Sequence, residues 1–214
     1  MLTLYDYRPS QNAWKVRQLL SHLSLDYSSI EISIFEGEGR SAEILKMSPS
    51  GKVPILVLED GRALAESNAI LAYLADGTHY LPTDAFDRAK VHQWMSFEQE
   101  QVESVIGSLR HWTMTGKLDR RSLEVVAGKK AAAIRALSIL DAQFADRPFI
   151  AGGNYTIADI SLYAYAGHSE EAGLETKPYS HFNDWRRRIR SQPGFLEARF
   201  PYSVDPNSRL ELPG

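Results

Sequence analysis

A proline at the mouth of an apolar strand, followed after one hairpin by a serine at the head of a helix, constrains this chain more than any other feature. The stretch reads Pro49-Ser50-Gly51-Lys52-Val53-Pro54-Ile55-Leu56-Val57-Leu58, then Glu59-Asp60-Gly61-Arg62, then Ala63-Leu64-Ala65-Glu66-Ser67-Asn68-Ala69-Ile70. A strand-start proline gives up one ladder donor. A cis Val53-Pro54 bond is one good reason for it, leaving the Val53 N–H and C=O facing outward as a short edge. An extended ligand backbone can pair with such an edge, as in strand addition. Ser67 offers a hydroxyl and helix-start N–H groups to a carboxylate, and Glu66 beside it offers a charge for an ammonium. Together these describe a pocket for a small zwitterionic peptide. The plainer reading keeps Pro54 as a trans strand-start residue and Ser67 as a helix cap.

Hydrophobic periodicity divides the chain. Leu2 to Tyr5 reads as a short strand closed by the turn Asp6-Tyr7-Arg8-Pro9-Ser10. A helical stripe runs from about Asn12 to Leu23 through Trp14, Leu19, Leu20 and Leu23. Ser28 to Ile34 alternates Ile30, Ile32 and Ile34 with polar neighbours and predicts a strand. A loop from Glu36 to Arg40 leads to a short helix ending near Met47; then come Val53 to Leu58, the Asp60-Gly61 hairpin signal, Ala63 to Ala65, and a helix from Ser67 to Ala75. Residues 1–76 are therefore a β-α-β-α-β-β-α unit, and 77–83 are a linker with turn signals. Residues 84–214 read as helical: Asp84 to about Trp112, Ser122 to Ala145, Thr156 to Glu171, Tyr179 to Arg190, and a turn after Pro193. The tail from Phe200 carries Pro201, Pro206 and Pro213 and reads as irregular. Thr156-Ile157-Ala158-Asp159 has capping-box spacing between Tyr155 and Ile160, the two positions of a hydrophobic staple, and its expected role is folding.

Composition excludes several classes. The sequence contains no cysteine, so a disulfide scaffold, a thiolate metal site and a Cys-x-x-Cys redox pair are excluded, and any thiol must come from a ligand. A net charge of −3 gives no general attraction to nucleic acid. No apolar run approaches the ~20 residues that span a bilayer, and the start lacks a secretory layout. A cytoplasmic protein fits these features. The six histidines show no metal-ligand spacing, and no phosphate-cradling glycine loop is present.

The Val53-Pro54 and Glu66-Ser67 pairing, the α/β-then-α layout and the Phe149-to-Asp159 capping run together resemble the cytosolic glutathione transferases, over roughly residues 2 to 198. The resemblance implies a thioredoxin-like N-terminal domain with a mixed four-stranded sheet and a C-terminal helical-bundle domain. Glutathione would be the co-substrate and a small electrophile the partner, with no metal, no nucleic acid and no membrane; a homodimer and a detoxification role are implied too. Within the family the chain is similar to the serine-type and bacterial branches, which carry Ser or Thr followed two residues later by Asn. That pattern implies Ser10 as donor to the glutathione sulfur and Asn12 as a second donor; neither acts as a covalent nucleophile. Ser10 is also a favoured helix cap, and the two roles are compatible. Tyr7 and Tyr5 are rivals, since other branches use a tyrosine near this point. Lys52 would reach the glycyl carboxylate, Val53 would pair with the cysteinyl backbone beside Pro54, and Glu66 and Ser67 would hold the γ-glutamyl group. The Glu36 to Arg40 loop lacks a glutamine that some bacterial relatives carry; Arg40 lies on the loop that flanks this site in relatives, and a solvated arginine is its default reading. Tyr7, Arg110, His111 and Trp112 are candidates to line the second-substrate pocket; Trp112 as helix packing and Arg110 as a solvated residue are the alternatives. The expected activity is attack of glutathione thiolate on an electrophile, with peroxide or disulfide reduction as variants. A glutathione-dependent isomerase or dehalogenase, or a non-enzymatic binding protein, are the other classes this resemblance allows.

Overall fold

The computed structural model describes residues 1–197 and 200–211. Ala198, where the family resemblance ends, and Pro213, the last of the tail prolines, lie outside them. The chain forms two compact units. The first holds β1 (Leu2–Asp6), α1 (Gln11–His22), β2 (Tyr27–Glu31), α2 (Ala42–Met47), β3 (Ile55–Val57), β4 (Ala63–Ala65) and α3 (Ser67–Ala75). Its sheet runs β2-β1-β3-β4, with β1 parallel to β2 and antiparallel to β3, and β3 antiparallel to β4. This is the mixed four-stranded sheet of a thioredoxin-like domain.

The pleat explains which residues meet. Successive strand side chains point to opposite faces. Leu4 and Leu56 are register partners and are fully buried with Val16, Leu20 and Ile70, so α1 and α3 close that face. Tyr5 and Ile55, the next pair, look the other way, toward the side of α2. The β3–β4 hairpin turns on Gly61, whose φ of +84° is the left-handed conformation that glycine adopts without a side-chain penalty. Asp60 accepts from the Arg62 amide at 3.0 Å and closes the turn.

Two expectations change here. The strand predicted over Ser28 to Ile34 is shorter, Tyr27–Glu31, and Ile30 is 41% exposed. β2 is an edge strand, so alternation alone did not guarantee a partner layer. The tail placed with 84–214 instead packs on the first unit. Trp14 Nε1 donates to the Leu196 carbonyl at 3.1 Å, and the Leu196 amide donates to Gln18 Oε1 at 2.8 Å. Trp14 and Gln18 are one helical turn apart, so a single face of α1 grips one residue of the tail. Further on, Ser33 Oγ donates to Asp205 Oδ2 at 2.8 Å, and Tyr202 lies against Tyr7 and Phe35.

The second unit, Asp76–Phe195, is helical: α4 (Ala85–Phe97), α5 (Ser108–Met114), α6 (Leu123–Gln143), α7 (Ile157–Ala166) and α8 (Ser180–Arg190). The single helix expected from Asp84 to Trp112 runs on to Met114, but Glu98–Gly107 between α4 and α5 takes π-helical geometry. Within and beyond that stretch, Ser104 and Ser108 hydroxyls bond back to the carbonyls four residues earlier, a pattern that competes with regular helix bonding. Gly107 permits a close approach there, because a Cβ would meet the Tyr165 ring at 2.9 Å.

The capping box forms as expected, and its carboxylate does more than cap. Asp159 is fully buried; Oδ1 accepts from the Ile150 amide and from Trp185 Nε1, both at 2.9 Å. Oδ2 accepts from the Thr156 amide at 3.1 Å and from its hydroxyl at 3.2 Å. One side chain thus ties the 150 loop, the start of α7 and α8. Burial pushes the Asp159 carboxyl up to about 6, and these four bonds limit the rise. Asp159→Ala orphans buried donors, each costing about 1–3 kcal/mol, so the melting temperature should fall by roughly 6 °C or more. A carboxyl raised on folding stabilises fully below its unfolded pKa and loses that contribution as pH rises through about 6. Melting followed by circular dichroism should therefore show the gap between wild type and Asp159→Asn narrowing from pH 4 to pH 7; a pH-independent gap would refute this assignment.

Candidate active site

The antiparallel pairing of β1 with β3 places the end of β1 beside the start of β3, and β4 ends there too. The register pairs Ile55 with Tyr5 and with Ala65, so Pro54 and Glu66 sit one step beyond the last pair. Both flanking helices, α1 and α3, begin at this end of the sheet, bringing two positive helix termini together.

At the first terminus Ser10 caps α1: its Oγ accepts from the Ala13 amide at 3.3 Å. Among the described residues Ser10 Oγ gives its own proton to nothing, so the cap leaves the hydroxyl a donor. At the second, Ser67 Oγ donates to Asn12 Oδ1 at 3.2 Å, joining the two helix starts directly. Ser67 is buried and its hydroxyl is committed to Asn12, leaving its backbone N–H at the head of α3 to meet an anion. Glu66 holds φ at +68°, a region that a non-glycine residue enters at a cost of roughly 1–2 kcal/mol. Its carboxylate is exposed and has no ion-pair partner among the described residues.

The Val53-Pro54 bond is cis. Neither the N–H nor the C=O of Val53 is bonded to a described residue, so the expected open peptide edge is present. Lys52 is exposed and forms no ion pair with a described residue, while its carbonyl accepts from the buried Ser48 hydroxyl at 3.1 Å, fixing the backbone that leads into Val53. Arg40 is exposed and likewise forms no ion pair with a described residue. Ser10, Asn12, Val53, Pro54, Glu66 and Ser67 thus lie at one end of one sheet.

The other candidates are placed differently. Tyr7 is 1% exposed, packed between Phe35 and Tyr202, so it is a core residue and not a pocket lining. Burial, and next the Asp205 carboxylate, push its phenol far above the ordinary range. Arg110 is also 1% exposed and pairs through Nε with Glu171 Oε2 at 2.6 Å, which removes it as an open anion-binding residue. Trp112 lies under the cations of Arg121 and Lys129, 5.0 and 5.7 Å from its ring centroid, and His111 is half-buried one residue before it. Among the described residues no group of three or more His, Asp or Glu is arranged to hold a metal, and no helix is long and apolar enough to cross a membrane.

Sequence reasoning missed the supports. Arg17 pairs with buried Asp6 and donates Nη2 to the Arg8 carbonyl at 2.9 Å, bracing the turn that presents Ser10. Asp205 and Tyr202 of the tail brace Ser33 and Tyr7 from outside. Asp6 and Arg17 at least are opposite charges flanking one turn; nothing local marks Asp205.

With this geometry established, the chain can be compared with known proteins. Residues 9–76 match the family model of the glutathione S-transferase N-terminal domain, and residues 124–188 that of the C-terminal domain. The disulfide-bond oxidoreductase YfcG of Escherichia coli is 28% identical over 92% of this chain and 94% of its own length. A glutathione S-transferase structure from Pseudomonas fluorescens is 34% identical, with a TM-score of 0.88, covering 91% of this chain and 97% of that one. One from Xanthobacter autotrophicus is 33% identical, with a TM-score of 0.89, over 95% and 99%. A thioredoxin-like unit joined to a helical unit is the architecture these proteins share. The chain belongs to the glutathione transferase family.

If the Ser67–Asn12 bond joins the two helix starts energetically, a double-mutant cycle of Asn12→Ala and Ser67→Ala should show coupling of about 1 kcal/mol in denaturant unfolding. Strictly additive effects would mean the contact contributes nothing.

Proposed function

We propose that this end of the first unit binds glutathione, and that the chain is a glutathione transferase that activates the bound thiol for attack on a small electrophile. The observation that carries the reading is the Ser10 hydroxyl: its lone pair is held by the Ala13 amide, and its proton is left to donate at the start of α1. A free thiol has a pKa near 8.5. A donated hydrogen bond and a positive helix terminus both favour the thiolate, the form that reacts. Val53 pairs with the cysteinyl backbone, Glu66 takes the γ-glutamyl ammonium, and the Ser67 amide takes the adjoining carboxylate. Lys52 reaches the glycyl carboxylate, and Asn12 supports the sulfur from its place beside Ser67. The thiolate attacks the electrophilic carbon, forming a thioether as the leaving group departs or as a conjugated double bond takes up the electron pair and a proton.

Disulfide reduction is the second reading, favoured by the likeness to YfcG and consistent with a chain that has no cysteine of its own. One glutathione thiolate attacks a small disulfide and expels a thiolate. A second then attacks the mixed disulfide, yielding oxidised glutathione and the second thiolate. The family likeness also supports a homodimer acting in the cytoplasm.

A hydrogen bond to a charged group contributes about 1.5–3 kcal/mol. Ser10→Ala should therefore lower kcat/KM for conjugation by roughly ten- to a hundred-fold and raise the pKa of bound glutathione, read from thiolate absorbance. Ser10→Gly, a well-tolerated N-cap that lacks the hydroxyl, should lose activity equally, which separates the donor role from helix stability. Tyr7→Phe should leave the thiol pKa in place. The reading fails if Tyr7→Phe raises that pKa and the Ser10 variants do not.

A further inference from the structure

The sheet is covered unequally. α1 and α3 pack on one face, whereas among the described helices the other face carries the six-residue α2, which packs toward β4. The β1–β2 half of that face is left open. Tyr5 and Ile30 are register partners there, and with Ile32 and Ile44 they floor a cavity of about 340 Å³. Glu38 and Glu43 stand at its rim. Glu38 accepts from the Ser33 amide through Oε2 at 2.8 Å, and Glu43 accepts from the Tyr5 hydroxyl through Oε1 at 3.5 Å. Each therefore has one oxygen used to hold it in place. Among the described residues neither carboxylate has a cationic partner, and nothing donates to its second oxygen. Arg40, close by in sequence, pairs with neither.

We propose that this cavity binds a small aliphatic organic cation, an alkylammonium whose chain lies on Tyr5, Ile30, Ile32 and Ile44 and whose head meets Glu38 and Glu43. The pairing of an apolar floor with an anionic rim selects that class. An anion would face two like charges, and an inorganic cation would gain nothing from three isoleucines. A neutral hydrocarbon would use the floor and leave the carboxylates in water. The volume lies at the low end of the roughly 300–1,000 Å³ of ligand sites, so the occupant is small. The proposal does not depend on glutathione binding, which uses the mouth of β3 and the heads of α1 and α3.

The test titrates n-hexylammonium, n-hexanol and hexanoate into the full chain, with the isoleucine methyl groups followed by NMR. Hexylammonium should shift Ile30, Ile32 and Ile44 and bind about five-fold or more tightly than hexanol, as expected for two partly exposed carboxylates. Hexanoate should bind more weakly than hexanol. In the double variant Glu38→Gln and Glu43→Gln, which keeps an acceptor for Ser33 and Tyr5, the preference of cation over alcohol should vanish. Equal affinity for cation and alcohol in the wild-type chain would overturn the proposal, as would a cation that leaves those three methyl groups unmoved. A cation preference that survives the double variant would place the charge recognition elsewhere and overturn it too.

Discussion

The hydrogen bond from the Ser67 hydroxyl to Asn12 joins the heads of two helices that the sequence keeps 55 residues apart. The contact becomes possible because α1 and α3 bury Val16, Leu20 and Ile70 on the same sheet face, against Leu4 and Leu56. Each such side chain contributes about 1.5–3 kcal/mol on burial, so the shared core decides where the helices lie, and the polar contact follows from it. Two helix N-termini at one end of the sheet then create a region that favours negative charge, next to a Val53 peptide that is bonded to no described residue. The proposed grip on a zwitterionic tripeptide depends on that convergence.

The surrounding structure holds these groups still. Asp6 and Arg17 brace the turn before Ser10, and Ser48 braces the carbonyl of Lys52. The tail adds a second layer, with Leu196 gripped by Trp14 and Gln18, and Asp205 bonded to Ser33. Glu66 is the point of strain, a non-glycine residue in the left-handed region between a strand and a helix. Such conformations persist where neighbours over-determine them; here β4 ends at Ala65, α3 begins at Ser67, and the helix bond from Ile70 returns to the Glu66 carbonyl at 3.0 Å.

The unequal cover of the sheet connects the two sites in physical terms. Where α1 and α3 close the layer, their heads meet at one end of the sheet and carry the candidate active site. Where α2 is too short to close it, apolar side chains remain accessible and form an open cavity. β2 is shorter than its isoleucine alternation suggested because its partner β1 ends at Asp6, opposite Glu31, so Ile32 and Ile34 lie beyond the last register pair.

Much was legible from local pattern. β4 and α3 occupy the residues that the hairpin and helix-start signals marked, and the capping box formed where its spacing placed it. Tyr7 and Arg110 show the boundary. Both have side chains suited to a pocket, yet one is enclosed by Phe35 and Tyr202 and the other is paired with Glu171. Their burial depends on partners 28 to 195 positions away, to which a local window is blind. By itself the sequence determined which residues cap, turn and alternate, because those preferences act within a few bonds, and it excluded a protein thiol. Tertiary structure alone decided which chemically able side chains reach solvent and which become support, because burial depends on what the rest of the chain packs against them.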